Sequence, residues 1–137
     1  MTMTLSEAIT HTSTEVLDYL DRSATVPTVT TAACQGDVSV FRNDTIKAAT
    51  TPMPKMVMVV RSEASSNTHT LHPNGQCFFD YNEAASVTDL VLGTLSVPEG
   101  SKAILAHQEH GFLSIEPGTY TVGRQREWAS TWSYVAD

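Results

Sequence analysis

Four of the five histidines in this chain form two pairs with the same spacing. His69 and His72 are three residues apart, and so are His107 and His110. Neutral imidazole is a good ligand for Zn, Fe, Ni or Cu, and a carboxylate such as Glu109 can complete the coordination of such an ion. These pairs are therefore the strongest candidates for chemistry, and a divalent transition metal is the cofactor they would hold.

The spacing of the pairs imposes a geometric condition. Side chains at positions i and i+3 lie on opposite faces of a regular strand, so two such rings converge only where the chain turns. His72 is followed by Pro73-Asn74-Gly75, and His110 is followed by Gly111, so each pair lies at a predicted strand end. The alternative interpretation is that all four are solvated residues of hairpin loops, because the HxxH spacing is far less specific than a helical HExxH.

Charge and hydropathy exclude several classes of function. Fifteen acidic residues against eight basic ones give a net charge of −7, which repels phosphate backbones and anionic lipids. We therefore expect no nucleic-acid or membrane partner. There is no apolar run of the ~20 residues that a membrane span requires, and the first residues lack the pattern of a signal peptide. With Cys34 and Cys77 far apart and outside any CxxC motif, we expect a cytoplasmic protein with reduced thiols.

One amphipathic helix is predicted near the start of the chain. Its apolar positions recur at spacings of three and four, and they are Leu5, Ala8, Ile9, Val16, Leu17 and Leu20. Thr4 and Glu7 form a possible capping box at its beginning. We assign residues 1–22 to this helix, 23–34 to an extended linker and 35–137 to a β-domain. Because so narrow a stripe is not stable alone, we expect the helix to dock on the β-domain or on a second copy, and to contribute to a dimer.

The remainder of the sequence is typical of a small antiparallel β-barrel or sandwich. Short β-type runs are separated by Pro, Gly, Asn and Asp, which leaves little room for crossover helices. The predicted strands are Val38–Phe41, Lys55–Arg61, Cys77–Tyr81, Leu90–Val97, Lys102–Ala106, Phe112–Ile115 and Thr119–Arg126. The fold class is therefore mainly β with one N-terminal helix, and a cupin-like barrel is one form it could take.

The last predicted strand carries charge on its apolar face. Tyr120, Val122, Arg124, Arg126 and Trp128 share one face of a regular strand. One explanation is a bulge at the glycine that precedes Arg124, or a simple exit to the surface. The other is that both arginines point into a cleft, an ion-paired interior or a subunit interface. In the second case Glu63, Glu109 and Glu127 are the predicted partners, and Trp128 belongs to the same cleft or interface.

Four segments resemble a family of small uncharacterised bacterial and phage-associated proteins. They are "QGDVSV" at 35–40, "VVRSEASSNTHTL" at 59–71, "LSVPEGSKAILAHQEHG" at 95–111 and "PGTYTVGRQREW" at 117–128. The resemblance implies shared residues at Glu63, His69, His107, Glu109, His110 and from Arg124 to Glu127. It implies no reaction. Ser62, Ser65 and Ser66 stand where that family carries glycine-containing positions, and His72 lies outside its pattern.

Two hypotheses for function follow. The first is a non-enzymatic binding or assembly protein, because the sequence contains no Gly-rich phosphate loop and no nucleophile elbow. For such a protein we expect a phage or mobile-element context. The second is a cupin-like metal-binding protein or enzyme in which His69, His107, His110 and Glu109 form the metal site. The second hypothesis requires His69 to approach the 107–110 turn from another strand.

Overall fold

The computed structural model describes residues 3–14, 24–60, 68–82, 90–124, 126–128 and 132–134, the last two ranges by backbone only. These residues form one helix and twelve strands: α1 Leu5–Thr12, β1 Thr28–Val29, β2 Ala32–Gln35, β3 Val38–Arg42, β4 Val57–Met58, β5 Thr70–Asn74, β6 Phe78–Tyr81, β7 Val91–Val97, β8 Lys102–His107, β9 Gly111–Ile115, β10 Gly118–Arg124, β11 Arg126–Trp128 and β12 Trp132–Tyr134. No helix among them is long and apolar enough to cross a membrane.

Two five-stranded sheets form the body of the protein. The first sheet has the strand order β1-β9-β8-β5-β4 and the second has the order β2-β3-β10-β7-β6, while β11 pairs with β12. All neighbouring strands are antiparallel except β1 and β9, which are parallel. Neither sheet closes on itself, so the fold is a sandwich. The described strands do not form the closed barrel that was the other predicted form.

The core lies between the two sheets and is built from alternate positions of each strand. Val38 and Val40 of β3 and Val122 of β10 pack in one apolar cluster with Leu71 of β5 and Leu105 of β8. Each of these side chains is fully buried. Because side chains alternate along a strand, the positions two residues before and after these also face the interior.

All seven predicted strands are confirmed, with ends that differ by up to three residues. Five of the twelve strands were missed, namely β1, β2, β5, β11 and β12. The segment predicted as an extended linker contains two of these strands, β1 and most of β2, within residues 24–34, because β1 pairs with Ser114–Ile115 and β2 pairs with β3. The Thr, Val and Ala residues that break the helical period there are suited to strands, and Gly36, at a φ of 58°, provides the turn into β3.

Helix α1 is shorter than the sequence predicts. The capping box is confirmed, since Thr4 accepts a hydrogen bond from the N–H of Glu7 and the Glu7 side chain accepts from the Thr4 backbone. The helix ends after Thr12, where Ser13 adopts a left-handed conformation. The predicted second half, including Val16, Leu17 and Leu20, lies outside the described residues.

The apolar face of α1 packs on the outer side of the first sheet. Leu5 and Ala8 form a second buried cluster with Ile104, Ala106 and Phe112. Strand β8 is thus buried on both sides, because its residues at 103 and 105 face the main core and those at 104 and 106 face the helix. The helix therefore docks on its own β-domain by its leucine face.

Candidate functional site

The inner faces of four chain segments end in polar residues at the same end of the sandwich. Gln35 continues the inner face of β2, His107 that of β8 and Arg124 that of β10, while His69 precedes Leu71 by two residues on the inner face of β5. Asp37 and His110 lie in the adjoining turns. We call these six residues, Gln35, Asp37, His69, His107, His110 and Arg124, the polar end cluster.

A buried carboxylate holds this cluster together. Asp37 follows Gly36 in the turn between β2 and β3, and its side chain is only 4% exposed. Its Oδ2 accepts hydrogen bonds from Nη2 of Arg124 at 3.1 Å and from Nε at 3.3 Å. Arg124 is therefore ion-paired, and Asp37, which was not among the predicted partners, pairs with it. The side chains of Glu63 and Glu127, two of the predicted partners, lie outside the described residues.

The irregularity predicted near Arg124 is also present. The pairing of β10 with β7 shifts register between Val122 and Gly123, whereas its pairing with β3 continues regularly to Arg124. A Cβ atom at Gly123 would lie 2.7 Å from the carbonyl oxygen of Leu90, so this close approach of two backbones requires glycine. The bulge and the buried ion pair, which the sequence presents as alternatives, occur together.

His69 is held on both sides of its ring. Gln35 donates from Nε2 to the carbonyl oxygens of Leu105 at 3.0 Å and Gly111 at 3.1 Å, which fixes the orientation of its amide. Its Oε1 then lies 2.9 Å from Nδ1 of His69 and acts as the acceptor, so Nδ1 carries a proton. On the other side, Nε2 of His69 is 3.3 Å from Oδ1 of Asp37.

The hairpin between β8 and β9 brings two more histidines to this point. Nδ1 of His107 accepts hydrogen bonds from the N–H groups of Glu109 at 3.1 Å and His110 at 3.2 Å. In the neutral ring the proton of His107 is therefore on Nε2. The ring centroids are 4.4 Å apart for His69 and His107, and 4.6 Å for His107 and His110. The ring of His110 is parallel to that of His69 within 2°, at 6.3 Å.

The prediction that His69 approaches the 107–110 turn is thus confirmed by the geometry. The side chain of Glu109 is exposed, and it is the backbone N–H of this residue that contacts His107. Glu63 lies outside the described residues, as do the side chains of Arg126 and Trp128. In the described part of the chain, no group of three or more His, Cys, Asp or Glu side chains is arranged to hold a metal ion.

His72 lies on the opposite face of β5. Its Nε2 is 2.8 Å from Oγ1 of Thr70, and Nε2 of the neighbouring His11 on α1 is 3.0 Å from the carbonyl oxygen of Pro73. Burial lowers the pKa of His72, and the nearby His11 lowers it further. This ring therefore belongs to the contact region between the helix and the first sheet.

Sequence reasoning missed the two residues that organise the cluster, Gln35 and Asp37. A polar residue at an inward position of β2 becomes visible only when β2 is recognised as a strand. The one available signal was the segment "QGDVSV", which contains both residues and is one of the four segments of the family resemblance.

A family model described as a domain of unknown function, DUF8820, matches residues 34–125. The chain belongs to this family. No curated protein and no solved structure matches the chain. The DUF8820 match contains the whole polar end cluster, while α1 and β1 precede it. The expected membership of an uncharacterised family is therefore confirmed, and the phage association stays a prediction.

Proposed function

We propose that this protein is a non-enzymatic binding domain and that the polar end cluster is its ligand site. The observation that carries the proposal is the convergence of three histidines, an aspartate and an arginine where the inner faces of the strands end. In β-sandwiches the loops at the strand ends can carry binding residues without disturbing the core. Here the turn at that end carries the exposed residues Glu109 and His110.

Stability alone is a weak explanation for a buried ion pair in this cluster. Removing a carboxylate and a guanidinium from water costs several kcal/mol for each ion, and their mutual attraction often fails to offset that cost. The side chains of Asp37 and Arg124 are 4% and 20% exposed, so both carry much of this penalty. Apolar side chains at these two positions would extend the core without this penalty. The presence of an ion pair there instead favours a role in binding.

The hydrogen bonds favour binding over acid–base catalysis. A general acid or base needs a ring nitrogen that can reach a substrate proton. In His69 the two ring nitrogens face Gln35 and Asp37, and in His107 Nδ1 accepts two backbone N–H groups. Rings held in this way are better suited to fixing a bound group than to moving protons.

A stability comparison tests the proposal without knowledge of the ligand. The double variant Asp37→Leu with Arg124→Met replaces the ion pair by apolar side chains, and we expect its free energy of unfolding in urea to equal or exceed that of the wild type, as for other buried ion pairs. The single variant Arg124→Met is the control, because it leaves the Asp37 carboxylate without its arginine and should be less stable. A double variant as unstable as the single one would show that the cluster is structural, and the proposed function would be wrong.

A further inference from the structure

We propose that helix α1 is a pH-sensitive cover of the first sheet and is released as the solution becomes acidic. The groups that respond to pH are His11 on α1 and the buried His72 on β5, which are neighbours because His11 contacts the residue that follows His72. Release uncovers the apolar side chains of Ile104, Ala106 and Phe112. This role goes beyond the proposed function, because His72 lies on the face of β5 opposite to the polar end cluster.

The contacts of the two rings are those of neutral histidines at an interface. Nε2 of His11 lies 3.0 Å from the carbonyl oxygen of Pro73, and because a carbonyl oxygen only accepts, this nitrogen is the donor. The ring of His72 is only 5% exposed, and its Nε2 is 2.8 Å from Oγ1 of Thr70. A hydroxyl group can donate to a neutral ring or accept from it. Neither contact requires a positive charge.

A positive charge on the His72 ring is poorly compensated while α1 is docked. Burial lowers the pKa of His72 and the nearby His11 lowers it further, while the backbone of Lys55 raises it. On the same face of the sheet, β8 carries Lys102 beside Asn74, which adds a second positive charge. Protonation of His72 therefore places charges of one sign around a buried ring, and exposure to water relieves them.

Two carboxylates near this interface have partners of their own. Oε1 of Glu7 on α1 accepts hydrogen bonds from the N–H and the hydroxyl of Thr4, at the other end of the helix. Oε1 of Glu116, which follows β9, is 3.5 Å from Nζ of Lys102. We therefore expect proton uptake by His72 to favour departure of the helix rather than formation of a new ion pair.

The helix can leave the sheet without unfolding the two sheets. Its side chains Leu5 and Ala8 belong to the second apolar cluster, which is separate from the core between the sheets. The start of the helix is tied by two backbone hydrogen bonds, from Leu5 to Ala24 at 2.8 Å and from Val26 to Met3 at 2.6 Å. An element with few buried contacts opens at a lower free energy than the whole protein. Acid therefore acts first on α1.

Native-state hydrogen exchange of the full chain tests the inference. Amide exchange is followed by NMR at pH 7 and pH 5, over a series of low urea concentrations, with correction for the intrinsic effect of pH on exchange. The reporters are the N–H groups of Leu5, Ala8 and Ser13, which are hydrogen-bonded at the two ends of α1. The N–H groups of the central strand β10 report global unfolding. If only the open form takes up a proton at His72, with a pKa near 6.5, opening of α1 should increase by up to about 25-fold from pH 7 to pH 5.

Local release has a signature that global unfolding lacks. At pH 5 the α1 amides should exchange faster than those of β10 and with a weaker dependence on urea, because less surface is exposed. The variant His72→Gln should lose the acid response of the α1 amides. The variant His11→Gln keeps a donor for Pro73 but carries no charge, so its response should be smaller than that of the wild type.

Titration of the ring protons of wild-type His72 by NMR gives a readout that does not depend on the folding of a variant. The pKa of His72 should lie below 6.5. A pKa at or above this value would overturn the inference, as would α1 amides that exchange at pH 5 with the rate and urea dependence of the β10 amides. An acid response of α1 that persists unchanged in His72→Gln would do the same.

Discussion

Arg124 and Asp37 are 87 residues apart in the sequence and are joined by two hydrogen bonds to a single carboxylate oxygen. The pair ties the end of β10 to the turn between β2 and β3, and it closes one end of the space between the sheets. Because Asp37 is buried, it depends on Arg124 for much of the compensation of its charge.

Removal of Arg124 should therefore destabilise the fold strongly. Arg124→Ala leaves a buried carboxylate without its arginine, which typically costs on the order of 3–5 kcal/mol. Arg42→Ala is the matched control, since Arg42 pairs with Asp44 at the surface and its loss should have little effect. Urea denaturation of the two variants measures the difference. Equal losses would mean that the Arg124 pair is as solvated as the surface pair.

The N-terminal helix should be required for stability. Deletion of residues 1–22 removes α1 and exposes the apolar side chains of Ile104, Ala106 and Phe112. We expect a lower melting temperature for the shortened protein. The point variant Leu5→Ala should lose about 2–5 kcal/mol, while Ser6→Ala on the exposed side of the helix should change little. A truncated protein with unchanged melting temperature would show that the helix is dispensable.

Self-association of the full chain stays a separate prediction. The sequence led us to expect that the helix contributes to a dimer, and its docking on its own β-domain leaves that expectation untested. Light scattering at high protein concentration measures the mass directly. A dimer that becomes a monomer on deletion of residues 1–22 is the expected result, and a full chain that is monomeric throughout would contradict it.

Acidification should destabilise the protein partly through His72. Burial lowers the pKa of His72 in the folded state, so the unfolded chain, whose histidines have a pKa of about 6.5, takes up the proton first as the pH falls. The contribution of His72 to stability is complete above about pH 6.5 and decreases below it. The free energy of unfolding should therefore decrease less between pH 7.5 and 5.5 for His72→Gln than for the wild type. Identical decreases would exclude this role.

The two thiols should differ sharply in reactivity. Burial raises the pKa of Cys77 to about 11, and its Sγ donates to the carbonyl oxygen of Lys102. At pH 8 only about one thiol in a thousand would then be ionised, and thiolate is the reactive form. Cys34 is exposed on β2. A disulfide-exchange reagent should label one thiol per chain rapidly and the second only after unfolding, and Cys34→Ser should remove the fast reaction. Equal rates at both sites would contradict this prediction.

The strands and the helix start could be predicted because local sequence determines them. Alternation of apolar and polar residues reports which face of a strand is buried, and Gly, Pro and Asn mark the turns between strands. The capping box of Thr4 and Glu7 requires only a spacing of three residues. The same kind of reasoning placed His107 and His110 on a hairpin and suggested an ion-paired position for Arg124.

The composition of the polar end cluster was decided only by the tertiary structure. His69 and His72 are equivalent by type and spacing, yet they lie on opposite faces of β5, and the pairing of that strand with β8 places His69 beside His107. Asp37, which was not among the predicted partners, meets Arg124 because the β2–β3 turn lies at the end of β10, a contact between residues 87 apart. Local patterns determine which side chains point inward. Which of them meet depends on strand order and register, and these are set by the packing of the whole chain.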